Sequence, residues 1–285
     1  MKTRTIGGRT VSAIGLGGMP MSIEGRPDED RSLRTIHAAL DAGVTFIDTA
    51  DAYCLSADET GHNERLIAKA LSTWRGDRDD ILLATKGGHI RPGDGSWQLD
   101  GSPAHLRAAC EASLKALGVE AIGLYQFHRP DPDVPFAESV GAVKELRDEG
   151  KVVMAGVSNT TVAQIDEAAA ILGNLASVQN QFSPAFRKSE DELEHCARLG
   201  ITFLPWSPLG GIRRAAKLGS RHTAFEEVAQ GHGVSPQQVA LAWEMAKAPV
   251  VVPIPGASRP ESITDSVQAA ELELSAEELA ALDAA

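Results

Sequence analysis

The feature that most constrains this fold is the alternation of short apolar runs with helical runs along the 285 residues. Eight strand-like runs, the first at residues 13–18 and the last at residues 250–253, are each followed by a stretch with helical periodicity. Strands spaced in this way pair in parallel through right-handed crossovers, and eight such units close into a barrel. The alternation predicts an α/β fold, a (β/α)8 TIM barrel, in a single domain over residues 1–285.

A β-hairpin is predicted ahead of the barrel, because Gly7 and Gly8 separate two short β-prone runs in residues 5–11. A doubly wound open sheet is the main alternative to the barrel. It requires a glycine-rich dinucleotide turn after its first strand. Residues 15–20, GLGGMP, lack the GxGxxG spacing and do not lead directly into a helix, which favours the barrel.

Charge and composition exclude several classes of partner. The 27 basic and 39 acidic residues give a formal net charge of -12, whereas nucleic acids and anionic membranes require a basic face. No run approaches the roughly 18 apolar residues that cross a bilayer, and the first residues do not resemble a signal peptide, so a cytoplasmic location is expected. Cys54, Cys110 and Cys196 are widely spaced and form no CxxC pair, so neither a disulfide framework nor a zinc site is predicted.

Polar residues follow the predicted strands at their carboxyl ends, where barrel enzymes place their active sites. Asp48 and Tyr53 follow the second strand, Lys86 the third and His128 the fourth. The later strand ends carry Ser158, Asn159, Gln179, Trp206 and Gly256. These side chains are therefore expected at one rim of the barrel.

The first four of these residues, Asp48, Tyr53, Lys86 and His128, can together deliver a proton to a carbonyl oxygen, with Tyr53 as the donor. Lys86 would be costly to bury unpaired, and Asp48 on the adjacent strand is its expected counterion. An ammonium beside Tyr53 stabilises the phenolate and lowers the pKa of the phenol from about 10 toward the working range. His128 can donate a hydrogen bond to a substrate carbonyl oxygen. Because the set contains no metal cluster and no nucleophile with a dedicated base, the electrons must come from a cofactor.

Each of these residues has an ordinary structural explanation when it is taken alone. Asp48 can cap a helix, Tyr53 and Trp206 can be packing residues, Lys86 can sit in a solvated turn, and His128 can be a structural histidine. Their occurrence together on consecutive strand ends is what favours a site. Four other histidines are interpreted as surface or structural residues: His89, His195, His222 and His232.

The segments FIDTADAY, ATKGG, QFHRPD, GVSN, VQNQFSP, PWSPLGG and PIPGASRPESI resemble the aldo-keto reductase superfamily, as a bacterial-type member, across essentially the whole chain. The resemblance implies that Asp48, Tyr53, Lys86 and His128 form a catalytic tetrad in which the tyrosine is the proton donor. It also implies that NADPH binds in an extended form over the barrel mouth, without a Rossmann domain.

The resemblance also assigns residues to the cofactor. The nicotinamide carboxamide would be held by Ser158, Asn159 and Gln179, and Trp206 would stack on the ring. The pyrophosphate would be covered by Ser207, Leu209 and Gly211. Better-known members have a lysine where Gly256 stands and an arginine where Ser262 stands, and both grip the 2'-phosphate. Because this chain offers Arg259 near that place instead, NADPH is the predicted cofactor and NADH is the alternative.

The substrate pocket is predicted to include Cys54, where the family usually has glycine, together with Trp97 and Phe182. Its walls are expected in the long loop of residues 87–101, in residues 129–135 and after Gln181. The chain stops soon after its last helix, which suggests an open site and a broad range of small aldehydes. Pyridoxal-type and methylglyoxal-type substrates both remain open.

The predicted function is the NAD(P)H-dependent reduction of small aldehydes or ketones to alcohols, with Tyr53 as the general acid. The alternative is a nicotinamide-nucleotide-sensing regulatory subunit with little turnover. A barrel isomerase or aldolase with a Schiff base on Lys86 is disfavoured, because the adjacent acid would keep that lysine charged. The protein is expected to be a monomer or a weak oligomer.

Overall fold

An antiparallel hairpin, β1 (Thr3–Ile6) and β2 (Arg9–Ser12), begins the computed structural model, which describes residues 1–285. Gly7 and Gly8 form its turn with φ of 55° and 89°, a conformation that glycine adopts without a steric penalty. The hairpin packs against the amino-terminal ends of the barrel strands, where the Thr202 hydroxyl donates to the Thr5 carbonyl at 2.9 Å. It therefore closes the end of the barrel opposite the predicted site.

Seven parallel strands form the barrel wall, and a short antiparallel hairpin interrupts the loop after the third of them. The strands that follow β2 are β3 (Leu16–Gly17), β4 (Phe46–Asp48), β5 (Leu82–Gly87), β6 (His89–Ile90), β7 (Gln98–Leu99), β8 (Ile122–Phe127), β9 (Val152–Ser158), β10 (Leu175–Gln179) and β11 (Thr202–Phe203). The wall pairs in the order β3-β4-β5-β8-β9-β10-β11, and β6 pairs with β7. All neighbours in the wall are parallel, so their carboxyl ends lie at one rim.

The eighth segment closes the barrel through single backbone bridges instead of a regular strand. Val251 bridges Phe203 on one side, and Gly256 bridges Gly17 on the other. The segment contains two prolines, Pro253 and Pro255, which have no N–H to give to a ladder. Both still accept hydrogen bonds through their carbonyl oxygens, from the N–H groups of Gly15 and Gly17, so the wall is continuous.

Eleven α-helices surround the wall. They are α1 (Glu29–Asp41), α2 (His62–Thr73), α3 (Pro103–Leu117), α4 (Phe136–Asp148), α5 (Val162–Leu172), α6 (Glu190–Leu199), α7 (Leu218–Arg221), α8 (Thr223–His232), α9 (Pro236–Lys247), α10 (Pro260–Gln268) and α11 (Ala276–Asp283). Helix α3 begins after Ser102, whose hydroxyl accepts from the His105 N–H at 3.2 Å, and it ends at Gly118 with φ of 68°. None of the helices combines the length and the apolar character needed to span a bilayer.

The core lies mainly between the strands and the surrounding helices. Its largest cluster contains 32 buried residues, among them Phe127, Phe203 and Trp243, and a second cluster of 15 packs against α1, α2 and α10. A smaller cluster that includes Phe46 and Leu124 fills the barrel interior beneath the carboxyl-end rim. The predicted (β/α)8 barrel with an N-terminal hairpin is confirmed.

Candidate active site

A buried ion pair lies at the carboxyl ends of β4 and β5. The Lys86 ammonium Nζ is 2.5 Å from Asp48 Oδ1 and donates to the Thr49 carbonyl at 2.8 Å. The same Nζ lies 3.2 Å from the Tyr53 hydroxyl. The two charged side chains are 0% and 2% exposed, so the pairing is what makes burial of either charge acceptable.

The second carboxylate oxygen of Asp48 is held by two amides. Gln126 on β8 donates to Oδ2 at 3.2 Å, and Gln179 on β10 donates at 2.8 Å. The carboxylate therefore accepts hydrogen bonds from three different strands. This arrangement fixes the position of Asp48 and, through it, the position of Lys86 beneath Tyr53.

The pKa values of Tyr53 and Lys86 show whether burial or the neighbouring charges dominate. Burial raises the pKa of the Tyr53 phenol, and the positive charge of Lys86 only partly offsets that rise. Burial alone would lower the pKa of Lys86, but Asp48 and Tyr53 outweigh it and the pKa is raised. The sequence prediction gave the direction of the lysine's effect on Tyr53 correctly. Its net result was wrong, because the spacing of residues does not report how completely the phenol is buried.

His128 follows β8 and faces Tyr53 with a ring-centroid distance of 5.9 Å. Burial, together with nearby His89, Lys86 and Arg129, holds the pKa of His128 well below its usual value. The imidazole is therefore neutral at physiological pH and can donate from only one ring nitrogen. Its Nδ1 is buried without a protein partner, whereas Nε2 is not among the buried unpartnered atoms and can meet a ligand in the cavity.

These groups border a cavity of about 610 Å³ at the open rim of the barrel. Asp48, Tyr53 and His128 line it, and Lys86 lies beneath. The residues expected at the nicotinamide and pyrophosphate also line this cavity: Ser158, Asn159, Gln179, Trp206, Ser207, Leu209, Gly211 and Gly256. Arg259 lies outside it, directly before α10, where its Nε donates to Ser262 Oγ at 2.8 Å.

A model of the Aldo/keto reductase family matches residues 13–285. The chain belongs to the aldo/keto reductase family. It is similar to an uncharacterised oxidoreductase of Schizosaccharomyces pombe, with 35% identity over 99% of this chain and 89% of that protein. A probable aldo-keto reductase of Glycine max is 34% identical over 95% of this chain and 84% of that protein.

Solved structures of aldo/keto reductases share the fold. A Klebsiella pneumoniae aldo/keto reductase in complex with NADP and acetate has a TM-score of 0.82 and 29% identity, with 99% of this chain and 94% of that chain covered. Membership confirms the resemblance drawn from the sequence and identifies this aldo/keto reductase as an oxidoreductase.

The polar groups in the cavity fit the amide end of a nicotinamide cofactor. Gln179 lines the cavity and gives its Nε2 to Asp48, which leaves its Oε1 to accept from an amide N–H. Asn159 and Ser207 are the two non-glycine residues with positive φ, 58° and 51°. Such conformations are costly and concentrate at functional sites. Trp206 contributes a flat ring, anchored by a hydrogen bond from its Nε1 to Asn159 Oδ1 at 3.2 Å.

Two residues predicted to line the substrate pocket lie elsewhere. Cys54 is fully buried, because a tight turn directs its Sγ toward the Ala52 carbonyl at 3.5 Å and away from the cavity. Phe182 is also fully buried and stacks on Trp243 in the main core, with ring centroids 5.4 Å apart. The prediction was wrong for both residues. Trp97, the third, does line the cavity.

His89, interpreted from the sequence as a surface or structural residue, packs in the wall of the cavity. Its ring lies 4.1 Å from that of His128 and borders the cavity of this aldo/keto reductase. One signal was available in the sequence, since His89 follows Lys86 by three residues in a loop expected to form a pocket wall. A histidine in such a loop is uninformative until the loop's path is known.

Proposed function

We propose that this aldo/keto reductase catalyses the reduction of aldehydes or ketones to alcohols, with NADPH as the hydride source. The main support is the Lys86 ammonium, which is buried on Asp48 and 3.2 Å from the Tyr53 hydroxyl at the floor of the cavity. A phenol in this position can lose a proton to a substrate oxygen, because the phenolate that remains is stabilised by the ammonium.

Each residue of the site has a separate role in the reduction of the carbonyl group. The substrate carbonyl oxygen accepts hydrogen bonds from Tyr53 and from the neutral His128, which orients and polarises it. Ser158, Asn159, Gln179 and Trp206 would hold a reduced nicotinamide, which when bound would supply the hydride to the carbonyl carbon. Tyr53 transfers its proton to the oxygen, which yields the alcohol, and Lys86 holds the phenolate until solvent returns the proton. Trp97 and His89 shield the reacting groups from water on one side.

Cofactor preference is proposed from the relatives and from one basic residue. The similar Klebsiella pneumoniae structure contains NADP. Arg259 lies three residues beyond the cavity-lining Gly256 in this chain. An arginine there can bind the 2'-phosphate that distinguishes NADPH from NADH. NADPH is therefore the proposed cofactor.

The test compares the two tyrosines of the chain. Tyr53→Phe removes the proposed acid, and turnover of an aldehyde panel, followed by NADPH absorbance, should fall by roughly 10²- to 10⁴-fold. Tyr125→Phe is the matched control, because Tyr125 is fully buried and its hydroxyl donates to the Leu106 carbonyl at 3.3 Å, away from the cavity. It should retain turnover.

The possible outcomes test two points separately: whether Tyr53 is the proton donor, and whether the protein is a reductase or a nucleotide-sensing subunit. Full turnover by Tyr53→Phe would exclude Tyr53 as the proton donor. Tight NADPH binding by the wild-type protein without oxidation by any carbonyl compound would instead favour a nucleotide-sensing subunit. Fluorescence titration with NADPH supplies the binding measurement.

A further inference from the structure

The cavity has one uncompensated charge. Of the residues that line it, only Asp48 and Arg129 are charged, and Asp48 is neutralised by its ion pair with Lys86. Arg129 directly follows His128 and lies exposed at the rim of the cavity, with its guanidinium bonded to the cavity-lining Asn159. An anion in the cavity would meet this charge and no opposing one.

Arg129 has no acidic partner in the protein. Its single side-chain hydrogen bond runs from Nη2 to the neutral Asn159 Oδ1, at 3.0 Å. Partial burial lowers the pKa of Arg129, which is still exposed at the rim, and no carboxylate is close enough to raise it. The guanidinium nevertheless remains charged at any physiological pH. Its other N–H donors are free, while the bond to Asn159 holds the group in place.

The wall beside Arg129 is aromatic. The Trp97 ring packs edge-on against Tyr53 at 6.4 Å and against His89 at 5.5 Å, and His89 packs against His128 at 4.1 Å. Burial, with the nearby charge of Arg129, lowers the pKa of His89 to about 4. Both imidazoles are therefore neutral, and this wall offers flat, uncharged surfaces next to one fixed cation.

We propose that Arg129 is an anion-binding subsite and that the substrates are aromatic aldehydes carrying a carboxylate or phosphate group. This inference rests on the proposed function, because the carbonyl must still reach Tyr53 and His128. The net charge of -12 repels anionic substrates at long range. A local guanidinium, which matches the geometry of both anions, compensates for that repulsion at the site itself.

The experiment uses a pair of substrates that differ only in charge. 4-Carboxybenzaldehyde is compared with its neutral methyl ester, which has the same ring and the same aldehyde position. The ester withdraws more electron density and makes its aldehyde the more reactive one, so a preference for the acid cannot come from reactivity. The measured quantity is the ratio of kcat/KM for the acid to kcat/KM for the ester. A charge-assisted contact predicts a ratio of roughly 10 or more for the wild-type enzyme.

Two variants test whether Arg129 sets this ratio. Arg129→Met removes the charge while keeping the length of the side chain, and the ratio should fall to about 1. Arg34→Met removes an exposed arginine from the outer helix α1 and should keep the wild-type ratio. A preference for the acid that survives in Arg129→Met, or that is absent from the wild-type enzyme, would overturn the inference.

The cofactor provides a second way to overturn the inference. If Arg129→Met weakens NADPH binding by the same factor as it lowers the ratio, the arginine serves the cofactor and not the substrate. Equilibrium titration of both proteins with NADPH decides between these outcomes. The inference predicts that Arg129→Met loses kcat/KM for the acid, while NADPH binding and kcat/KM for the ester are retained.

Two further arms identify the anion and separate this inference from the proposed function. Pyridoxal 5'-phosphate against pyridoxal repeats the comparison with a phosphate. Because free pyridoxal closes to an internal hemiacetal, the preferred anion is the one whose ratio falls by the larger factor in Arg129→Met. Binding of 4-(hydroxymethyl)benzoate and its methyl ester to the NADP-loaded enzyme requires no turnover. Tighter binding of the acid without reduction of any aldehyde would refute the proposed function alone, whereas equal binding would refute the subsite.

Discussion

Two buried acids in this protein, Asp48 and Glu244, have opposite surroundings. Asp48 accepts hydrogen bonds from Lys86, Gln126 and Gln179. Glu244 on α9 is 0% exposed, and neither of its carboxylate oxygens has a hydrogen-bond partner. Burial alone raises the pKa of Glu244 well above its usual value, so the folded protein keeps this carboxyl protonated.

Glu244 therefore makes the stability of the protein depend on pH. In the unfolded chain a glutamate loses its proton above about pH 4.3, whereas the folded protein retains it to a much higher pH. Between these two pKa values the folded state binds more protons, so the free energy of unfolding falls by about 1.4 kcal/mol per pH unit from this residue. Its contribution is complete below pH 4.3 and is lost as the pH rises.

Glu244→Gln should be more stable than the wild-type protein at neutral pH, because the amide carries no proton to lose. The gain should widen as the pH rises from 5 to 7 and should be smallest near pH 4.5. Urea unfolding at several pH values measures it. Glu194→Gln, at an exposed position on α6, is the control and should show no such trend. A stability difference between Glu244→Gln and the wild-type protein that did not change with pH would contradict the protonated state of Glu244.

Residue types at strand ends allowed Asp48, Tyr53, Lys86 and His128 to be predicted, because parallel strands bring such positions to one rim. The structure places them together. Cys54 could not be assigned in the same way, since a tight turn after Ala52 reverses the direction of its side chain. Local turn geometry of this kind has no periodicity that a sequence can display.

The β6–β7 hairpin forms one wall of the cavity and is fixed by one buried side chain. Arg91 is 1% exposed, its Cζ lies 4.3 Å from the Trp97 ring centroid, and it pairs with Glu24 in the segment before α1. The sequence predicted that residues 87–101 form a pocket wall. It did not predict a hairpin, because the two strands span only two residues each.

Replacement of Arg91 should loosen this hairpin without touching the tetrad. Arg91→Met removes the ion pair and the cation–π contact of its buried guanidinium with the half-exposed Trp97 ring, a contact worth about 1–2 kcal/mol. Amide hydrogen exchange in residues 88–101 should become on the order of tenfold faster, and KM for aromatic aldehydes should rise. Arg75→Met, at an exposed position, is the control. Unchanged exchange would show that β6 and β7 hold the wall by themselves.

At the scale of the whole molecule, the alternation of strands and helices was sufficient to predict the barrel, because eight parallel units have few other ways to bury their apolar faces. The way in which the barrel closes was not predictable. Residues 250–253 were expected to form a strand, yet the prolines of this segment limit it to bridges with Phe203 and Gly17. Closure depends on close backbone approach, which only the folded protein reveals.

Gly17 is the point at which this closure is tightest. A Cβ atom added there would lie 2.8 Å from the Ile254 carbonyl oxygen and 3.3 Å from Gly256 Cα. These are backbone atoms, so they cannot move aside as a flexible side chain would. Gly17→Ala must therefore shift β3 away from the eighth segment, and it should destabilise the protein by about 1–3 kcal/mol.

A matched glycine makes this last prediction specific to the barrel closure. Gly141 lies within α4, and an added Cβ meets nothing within 4 Å. Gly141→Ala should stabilise the protein by about 0.4–1 kcal/mol, because alanine loses less backbone entropy in a helix. Urea unfolding of both variants gives the comparison, and NADPH titration should show weaker binding only for Gly17→Ala, since Gly17 and Gly256 both line the cavity. If Gly17→Ala had the wild-type free energy of unfolding and the wild-type NADPH affinity, the backbone at the closure would be flexible. The contact between Gly17 and the eighth segment would then not determine the shape of the cavity.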